Sequence, residues 1–253
     1  MLLSICMTVR AHMRYHPIWL LQYRLPHAAG HAAAADRDSK LTPNTTKSIQ
    51  FAQHWRKHAI RIFLIIYLAV MLFSQSRWSP ETPVHQALQI AGIALIIIAI
   101  LGRTWSSLYI GGRKNAQLVR TGPYSLVRNP LYTFSFMAGM GIGLQLGSVL
   151  FGLATVAILM TVFWPVIMKE EDHLGHLFGN AYADYRKEVP RFWPRLTQLR
   201  VSWRGVESLE VRPALVVRTF VEASLFLLAI PIIEGIEAAQ AAGWVAGVIK
   251  LPF

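Results

Sequence analysis

The feature that most constrains the fold is a long run of uncharged residues in the middle of the chain. Residues 130–168 form 39 consecutive positions without Asp, Glu, Lys or Arg. A helix crosses the roughly 30 Å hydrocarbon core of a bilayer with about 20 residues, so this run is long enough for two crossings. Its two apolar halves are residues 130–147 and 150–168. Only Ser148 and Val149 separate them, so we predict a tight antiparallel hairpin of two transmembrane helices.

Further apolar segments extend this interpretation to the whole chain. They lie at residues 61–75, 84–102 and 213–233, and the composition of 54% hydrophobic and 15% charged residues is too apolar for an ordinary soluble domain. We therefore predict an all-α fold. It is an integral membrane bundle of about five transmembrane helices with a cytoplasmic amphipathic helix, and the lipid bilayer is its first partner.

The net charge of +12 is explained by membrane topology. Lys and Arg cluster before the first apolar segment, between the second and third, and after the fourth, which predicts that these three regions are cytoplasmic. We accordingly expect no nucleic-acid partner. The single Cys6 excludes a multi-cysteine metal site, and no metal is expected. The sequence leaves the oligomeric state open.

The chain divides into four regions. Residues 1–50 are a basic extension without the pattern of a signal peptide, either disordered or the product of an early start codon. Residues 51–112 hold the first two helices, residues 113–200 a polar cassette built around the hairpin, and residues 201–253 the last helix and a tail.

Two spacings within the apolar segments predict helix faces. Gly139 and Gly143 are four residues apart in the third segment, which favours close packing of another helix, or a smooth border for a lipid substrate. Gly147 continues this four-residue series, and Gly141 stands beside it. In the last segment Arg218 and Glu222 are also four residues apart, which places them on one face, as an ion pair or as substrate contacts.

The first polar segment predicts a turn at the start of the third helix. Gly122 and Pro123 turn the backbone, and Pro130 stands where a helix begins without losing a hydrogen bond. Asn129 is then the predicted cap. Free amide groups at this helix start favour an anionic group such as a carboxylate or phosphate.

The second polar segment begins with two adjacent carboxylates, Glu170 and Glu171, at the end of the fourth apolar segment. Removing a charge from water is costly unless the charge is paired, so at least one of them requires a cationic partner. Arg128, Arg113 or a cationic ligand meets that requirement. The following apolar and aromatic residues have helical spacing and predict an amphipathic interfacial helix: Leu174, Leu177, Phe178, Tyr182 and Tyr185.

Taken together, the two polar segments resemble the isoprenylcysteine carboxyl methyltransferase and phospholipid methyltransferase family of integral membrane enzymes. The resemblance covers residues 102–194. It rests on Gly122-Pro123-Tyr124, Arg128-Asn129-Pro130, Tyr132, Glu170-Glu171, Leu174, Phe178-Gly179, Tyr182, Tyr185 and Val189-Pro190-Arg191.

The resemblance implies an S-adenosylmethionine-dependent methyltransferase, of the class EC 2.1.1, acting on a lipophilic acceptor at the cytoplasmic side. The acceptor group is a carboxylate or an amine. The cofactor contacts it implies are Ala116, Gln117, Leu118, Val119, Tyr124, Asn129, Pro130, Leu131, Tyr132 and Glu170, the last holding the cofactor's amino group. Glu171 and Tyr132 are the catalytic candidates, because an amine or hydroxyl acceptor must lose a proton.

The chain departs from the family pattern at two positions. Asn129 stands where eukaryotic members have His, so this side chain still forms hydrogen bonds but does not titrate near neutral pH. Val166 stands where those members have a substrate-facing Arg. Recognition of a prenylcysteine carboxylate then falls to another cation, and Lys169, Arg113 and Arg191 are the candidates.

Two other functions are compatible with the same segments. Membrane sterol and steroid reductases resemble this family in the cassette but bind NADPH. A non-catalytic membrane scaffold would keep the packing glycines and the interfacial anchors.

Overall fold

A computed structural model describes residues 65–111, 117–194, 209 and 211–251 of the chain. They fall into two units divided at residue 74. In the first unit residues 65–73 are helical, as predicted for the first apolar segment, whose earlier residues lie outside the described part, as does the extension 1–50. Ser74–Ser76 forms a strand, so this helix ends two residues before the predicted end.

The second unit is helical apart from one small parallel pair of strands, β1 (Ser74–Ser76) and β2 (Ile249–Leu251). The helices are α1 (Pro83–Ile110), α2 (Pro123–Leu126), α3 (Pro130–Gln145), α4 (Val149–Phe178), α5 (Asn180–Glu188), α6 (Pro213–Ser224) and α7 (Ala229–Ala241), with a 3₁₀ turn (Leu225–Leu228) joining the last two.

Three of these helical stretches are long and apolar enough to cross a membrane: α1, α4 and the continuous run Pro213–Ala241. The prediction of an all-α membrane protein is confirmed. With 16 residues, α3 is shorter than these three. The number of five spans stays a prediction.

Helix α1 extends well past its predicted end. Pro83 occupies its first position, and the Thr82 hydroxyl caps it by accepting a hydrogen bond from the His85 amide, 3.4 Å away. We predicted an end at Gly102 because a charged residue follows. That was wrong, since Arg103 is buried inside the protein and the helix continues to Ile110.

The predicted hairpin of α3 and α4 is confirmed. Gly147 adopts a left-handed conformation (φ 66°) in the turn, and the Ser148 hydroxyl caps α4 by accepting a hydrogen bond from the Phe151 amide. Gly143 and Gly152 lie so close that a Cβ atom on Gly143 would overlap the Cα atom of Gly152. The two helices are therefore joined tightly near the turn.

The glycines of α3 serve helix packing, which was one of the two predicted roles. A Cβ atom on Gly139 would meet the Leu159 side chain of α4 at 2.5 Å. On the other side, a Cβ atom on Gly141 would meet the Gly92 carbonyl oxygen of α1 at 2.7 Å. Helix α3 thus approaches both α1 and α4 closely because it lacks side chains at these points.

The predicted amphipathic helix after the fourth apolar segment is two elements. Helix α4 continues through Glu170 and Glu171 to Phe178, and Gly179 (φ 51°) separates it from α5. The helical spacing of the apolar residues predicted a single helix, but Gly179 turns the chain within that pattern. Tyr182 and Tyr185 of the predicted stripe are buried together with Val189. Leu174 and Phe178 are partly buried against this cluster, as is Leu118, whereas Leu177 is exposed.

The last helical run is longer than predicted and ends at Ala241 instead of residue 233. On α6, the Arg218 Nε atom lies 2.8 Å from the Glu222 Oε1 atom, so the two residues form the predicted ion pair along one face.

Candidate active site

The candidate site lies where the first turn of α3, the end of α4, and the short helices α2 and α5 come together. Gly122 (φ 60°) starts α2 and lies against the Tyr109 ring near the end of α1, where a Cβ atom would come within 2.5 Å of the ring. Only glycine fits both this conformation and this space. The predicted turn is thereby fixed to the end of α1.

Hydrogen bonds to backbone carbonyl groups join the two polar segments. The Tyr185 hydroxyl donates to the Tyr124 carbonyl at 2.6 Å, and the Arg128 amide donates to the Pro190 carbonyl at 2.9 Å. The Arg128 guanidinium also donates to the Arg186 carbonyl at 3.2 Å. The two segments, far apart in sequence, therefore form one structural unit, as the joint pattern predicted.

Glu171 is the most heavily bonded carboxylate of this unit. It is 4% exposed and accepts two hydrogen bonds from Arg191, Nε to Oε1 at 3.0 Å and Nη2 to Oε2 at 2.8 Å. The Arg128 Nε atom lies 3.6 Å from Oε1. A buried carboxylate needs such compensation, and the predicted partner Arg128 is joined by Arg191, which contributes the bidentate contact.

Asn129 has a different role from the predicted one. It precedes α3 at the cap position, but its side chain makes no capping hydrogen bond. Its Nδ2 atom instead donates to the Glu171 Oε1 atom at 2.9 Å. This charge-assisted hydrogen bond holds the amide group toward Glu171, and the Asn129 oxygen does not accept from the backbone N–H groups at the helix start, as a cap would.

Glu170 faces a different partner from its neighbour. The Tyr132 hydroxyl of α3 donates to the Glu170 Oε2 atom at 3.1 Å, and the Tyr132 ring packs on Phe163 with the ring centres 5.3 Å apart. Glu170 is half-buried. A half-buried carboxylate therefore lies at the end of the site where α3 and α4 meet, and the Tyr132 hydroxyl is one of the groups that orient it.

Two tyrosine hydroxyls near this pair are buried without a hydrogen-bond partner among the described residues, those of Tyr124 and Tyr182. Burial, followed by the neighbouring Tyr185 and Glu170, raises the pKa of Tyr124 well above its ordinary value. Burial and then Glu171 raise the pKa of Tyr182 to about 12. Both phenols stay protonated at neutral pH, so each hydroxyl keeps a proton that it can donate to a ligand.

Arg103 is a site neighbour that the sequence reasoning placed in a loop. It is 6% exposed, and its Nη1 atom donates to the Leu131 carbonyl at 3.2 Å and to the Ser135 hydroxyl. Its guanidinium carbon lies 6.0 Å from the centre of the Phe226 ring. A charged residue inside an apolar helix was the signal that could have identified it.

The remaining predicted contacts lie at varied depths. Pro130 is buried at the first position of α3. Leu118 packs on the cluster around Tyr182 and Tyr185, Val119 is half-buried and Gln117 is exposed. Ala116 and Arg113 lie outside the described residues, as do Lys114 and residues 195–208.

These groups fit the cationic end of S-adenosylmethionine. That cofactor carries a sulfonium and an ammonium, and both cations are stabilised by a carboxylate and by hydrogen-bond acceptors. Glu170 supplies the carboxylate, and the unpartnered Tyr124 hydroxyl supplies a polar group directed at no protein atom in the described part. Within the same residues, no three His, Cys, Asp or Glu side chains are grouped so as to hold a metal ion.

Comparison with known families agrees with this geometry. Residues 87–181 match the phospholipid methyltransferase family. The match contains α2, α3 and α4, and thus Tyr124, Asn129, Tyr132, Glu170 and Glu171. No solved structure matches the chain significantly.

Two bacterial relatives cover most of the chain. The nickel-cobalt-cadmium resistance protein NccN of Alcaligenes xylosoxydans xylosoxydans is 30% identical over 192 residues, which are 76% of this chain and 87% of the relative. The cobalt-zinc-cadmium resistance protein CzcN of Cupriavidus metallidurans is 31% identical over 219 residues, 85% of this chain and 99% of the relative.

A eukaryotic relative is similar over a shorter part. The protein-S-isoprenylcysteine O-methyltransferase of Schizosaccharomyces pombe is 34% identical over 90 residues, 35% of this chain and 38% of the relative.

Proposed function

Because the chain belongs to the family of isoprenylcysteine carboxyl methyltransferases and phospholipid methyltransferases, we propose that it transfers a methyl group from S-adenosylmethionine to a lipophilic acceptor. The observation that carries this proposal is the Tyr132–Glu170 pair, a half-buried carboxylate held at the point where α3 and α4 meet. The bound cofactor supplies an electrophilic methyl group on its sulfonium. The protein's main task is to hold donor and acceptor in line.

Glu170 binds the ammonium of the cofactor in this proposal, and Tyr132 fixes the orientation of that carboxylate. Tyr124 provides its hydroxyl to the cofactor, because this hydroxyl has no hydrogen-bond partner in the described part of the chain. Pro130 and Leu131 line the first turn of α3 beside them. Gln117, Leu118 and Val119 lie on the adenosine side, at the segment that leads into α2.

Glu171 has a positioning role in this scheme. Both of its carboxylate oxygens accept hydrogen bonds from Arg191, and Oε1 also accepts one from Asn129. A base must be free to accept a proton from the acceptor, and these bonds oppose that. Of the two catalytic candidates, Glu171 and Tyr132, it is then Tyr132 that faces the reacting atoms in this proposal, since it bonds the Glu170 carboxylate.

The site opens toward the cytoplasm in this proposal, and the acceptor enters from the bilayer. Support comes from the basic residues that border the site, including Arg120, Arg128, Arg186 and Lys187, since Lys and Arg flank the cytoplasmic ends of membrane helices. A lipophilic acceptor is favoured because the apolar ring of Trp164 on α4 is exposed beside Arg191.

The names of NccN and CzcN describe metal resistance, and this description applies to those two proteins. For this chain we propose the methyl-transfer activity, since the polar groups that converge here suit a cationic cofactor. A contribution to metal resistance would then follow from methylation of a lipid or another lipophilic molecule.

Incubating the purified chain with a total bacterial lipid extract and S-adenosylmethionine labelled in its methyl group is expected to give a labelled lipid product. Mass spectrometry of that product identifies the acceptor and separates an ester from a methylated amine. Thermal unfolding with each nucleotide is the companion measurement. A rise in melting temperature with NADPH and none with S-adenosylmethionine would favour a reductase instead, and no rise with either would favour a scaffold.

Replacing Tyr124 by Phe is expected to change protein stability and cofactor affinity in opposite directions. Without cofactor, the variant should unfold at the same or a higher temperature, because a buried unpaired hydroxyl costs about 1–3 kcal/mol. Affinity for S-adenosylmethionine should fall about tenfold if the hydroxyl binds the cofactor. Tyr185→Phe is the matched control: its hydroxyl already bonds the Tyr124 carbonyl, so this variant should lose stability instead. Unchanged affinity in Tyr124→Phe would remove Tyr124 from the site.

A further inference from the structure

A buried arginine lies beside the Tyr132–Glu170 pair and has no assigned role in the proposed function. Arg103 comes 20 residues after Pro83, so it is roughly 30 Å along α1, about one bilayer thickness from the start of the helix. This distance brings it level with the first turn of α3. Its hydrogen bond to the Leu131 carbonyl places it one residue from Tyr132.

The hydrogen bonds of Arg103 leave much of its guanidinium unused. Both protein acceptors, the Leu131 carbonyl and the Ser135 hydroxyl, are neutral and are bonded by the same nitrogen, Nη1. The Nε atom is buried and bonds no atom of the described residues. The Phe226 ring shields the group on another side without neutralising it.

No carboxylate of the described residues lies within ion-pair distance of Arg103. Glu222 is within electrostatic range, but it forms its ion pair with Arg218. A buried cation without an anion costs several kcal/mol, and such a cost is tolerated where a bound anion removes it. Arg103 therefore has the burial, the charge and the free donors of an anion-binding group.

The same neighbourhood contains the polar groups of the candidate site. Arg103 is near enough to Tyr132 and Tyr124 for electrostatic interaction, and Tyr124 in turn interacts with Glu170. The site thus offers a carboxylate and a guanidinium around one pair of tyrosines. Arg103 also restores the positive charge that Val166 does not supply, from α1 instead of α4.

We propose that Arg103 binds the carboxylate of a ligand in the methyl-transfer site through its planar guanidinium. This proposal rests on the proposed function for the location of the site. Two ligands have the required group: S-adenosylmethionine, through its amino-acid carboxylate, and an acceptor that is itself a carboxylic acid. In the second case the chain is a carboxyl methyltransferase, and Arg103 selects the acceptor.

The test compares two matched ligand pairs on the full chain in detergent and on its Arg103→Gln variant. The first pair is S-adenosylmethionine and its decarboxylated analogue. The second pair, measured without cofactor, is N-acetyl-S-farnesylcysteine and its methyl ester. In one of the pairs, the wild type should bind the acid at least about tenfold more tightly, as expected for hydrogen bonds to a charged group, and Arg103→Gln should abolish that preference.

The pair that responds identifies the source of the carboxylate. If Arg103→Gln changes the preference in neither pair, or if the wild type shows none in either, the proposal is overturned. Wild-type protein that binds neither cofactor form would refute the proposed function alone, because the farnesylcysteine pair still tests Arg103.

Two further variants serve as controls. Lys250→Gln removes one positive charge from an exposed side chain of β2 and should leave both preferences unchanged. If Arg103→Gln does not fold, Arg103→Lys decides: it keeps the charge but loses the planar pair of donors, so the acid preference should fall, and an unchanged preference overturns the proposal.

Discussion

Replacing Glu170 by Gln is expected to weaken binding of S-adenosylmethionine by about 30-fold or more while the chain stays folded. The variant keeps an oxygen that accepts the Tyr132 hydrogen bond but loses the negative charge that faces the cofactor's ammonium. Truncating one member of a buried charge pair typically costs about 2–5 kcal/mol of binding. Equilibrium binding of labelled cofactor in detergent measures the change.

Asp172→Asn is the matched control for this experiment. Asp172 is on the same helix two residues further on, and it is exposed. Both variants remove one negative charge from the end of α4, so a general electrostatic effect would appear in both. Equal affinities for Glu170→Gln and the wild type would contradict the assignment of Glu170 to the cofactor.

Replacing Glu171 by Gln is expected to destabilise the cassette strongly, by about 3–5 kcal/mol, because removing one partner of a buried ion pair leaves the other uncompensated. Arg191 would lose a bidentate acceptor and Arg128 its nearby negative charge. The measurement is the free energy of unfolding in detergent, followed by tryptophan fluorescence, to which Trp164 contributes; its ring centre lies 5.1 Å from the Arg191 guanidinium carbon.

Glu188→Gln gives a sharp comparison. Glu188 pairs with Arg120 at 2.7 Å, close to the 2.8 Å between Glu171 and Arg191, but both Glu188 and Arg120 are exposed. An exposed pair of this kind contributes about 0–1 kcal/mol. If the two Gln variants lose the same small amount of stability, Glu171 is not the structural centre of the cassette.

Much of the fold was predictable because its main signals are local. The uncharged run and the Ser148 turn predicted the α3–α4 hairpin, and helical spacing predicted the Arg218–Glu222 pair. Helix ends were less predictable. Charge marked the end of α1 in the sequence, yet Arg103 is buried and bonds the Leu131 carbonyl of α3, a contact that no local pattern contains.

The sequence was a better guide to which residues belong to the candidate site than to which of them form hydrogen bonds with one another. The family pattern brought Tyr132 and Glu170 together, and the structure joins them. It did not indicate that Asn129 turns away from the helix end or that Arg191 binds Glu171. Those choices depend on which acceptor is buried, and burial is set by the packing of α2 and α5 across the chain.

The contact between Gly143 and Gly152 clamps α3 and α4 together near the hairpin turn. Gly143 and Gly152 touch close to the turn, whereas Tyr132 lies 11 residues earlier on α3, about 16 Å along the helix. With the clamp as a pivot, a tilt of only about 5° changes the separation at that level by roughly 1.5 Å, given the helix rise. This is enough to break the 3.1 Å bond between Tyr132 and Glu170. At that level α3 and α4 are joined by the Tyr132–Glu170 and Asn129–Glu171 hydrogen bonds, so these two bonds determine the separation of the helices at the site.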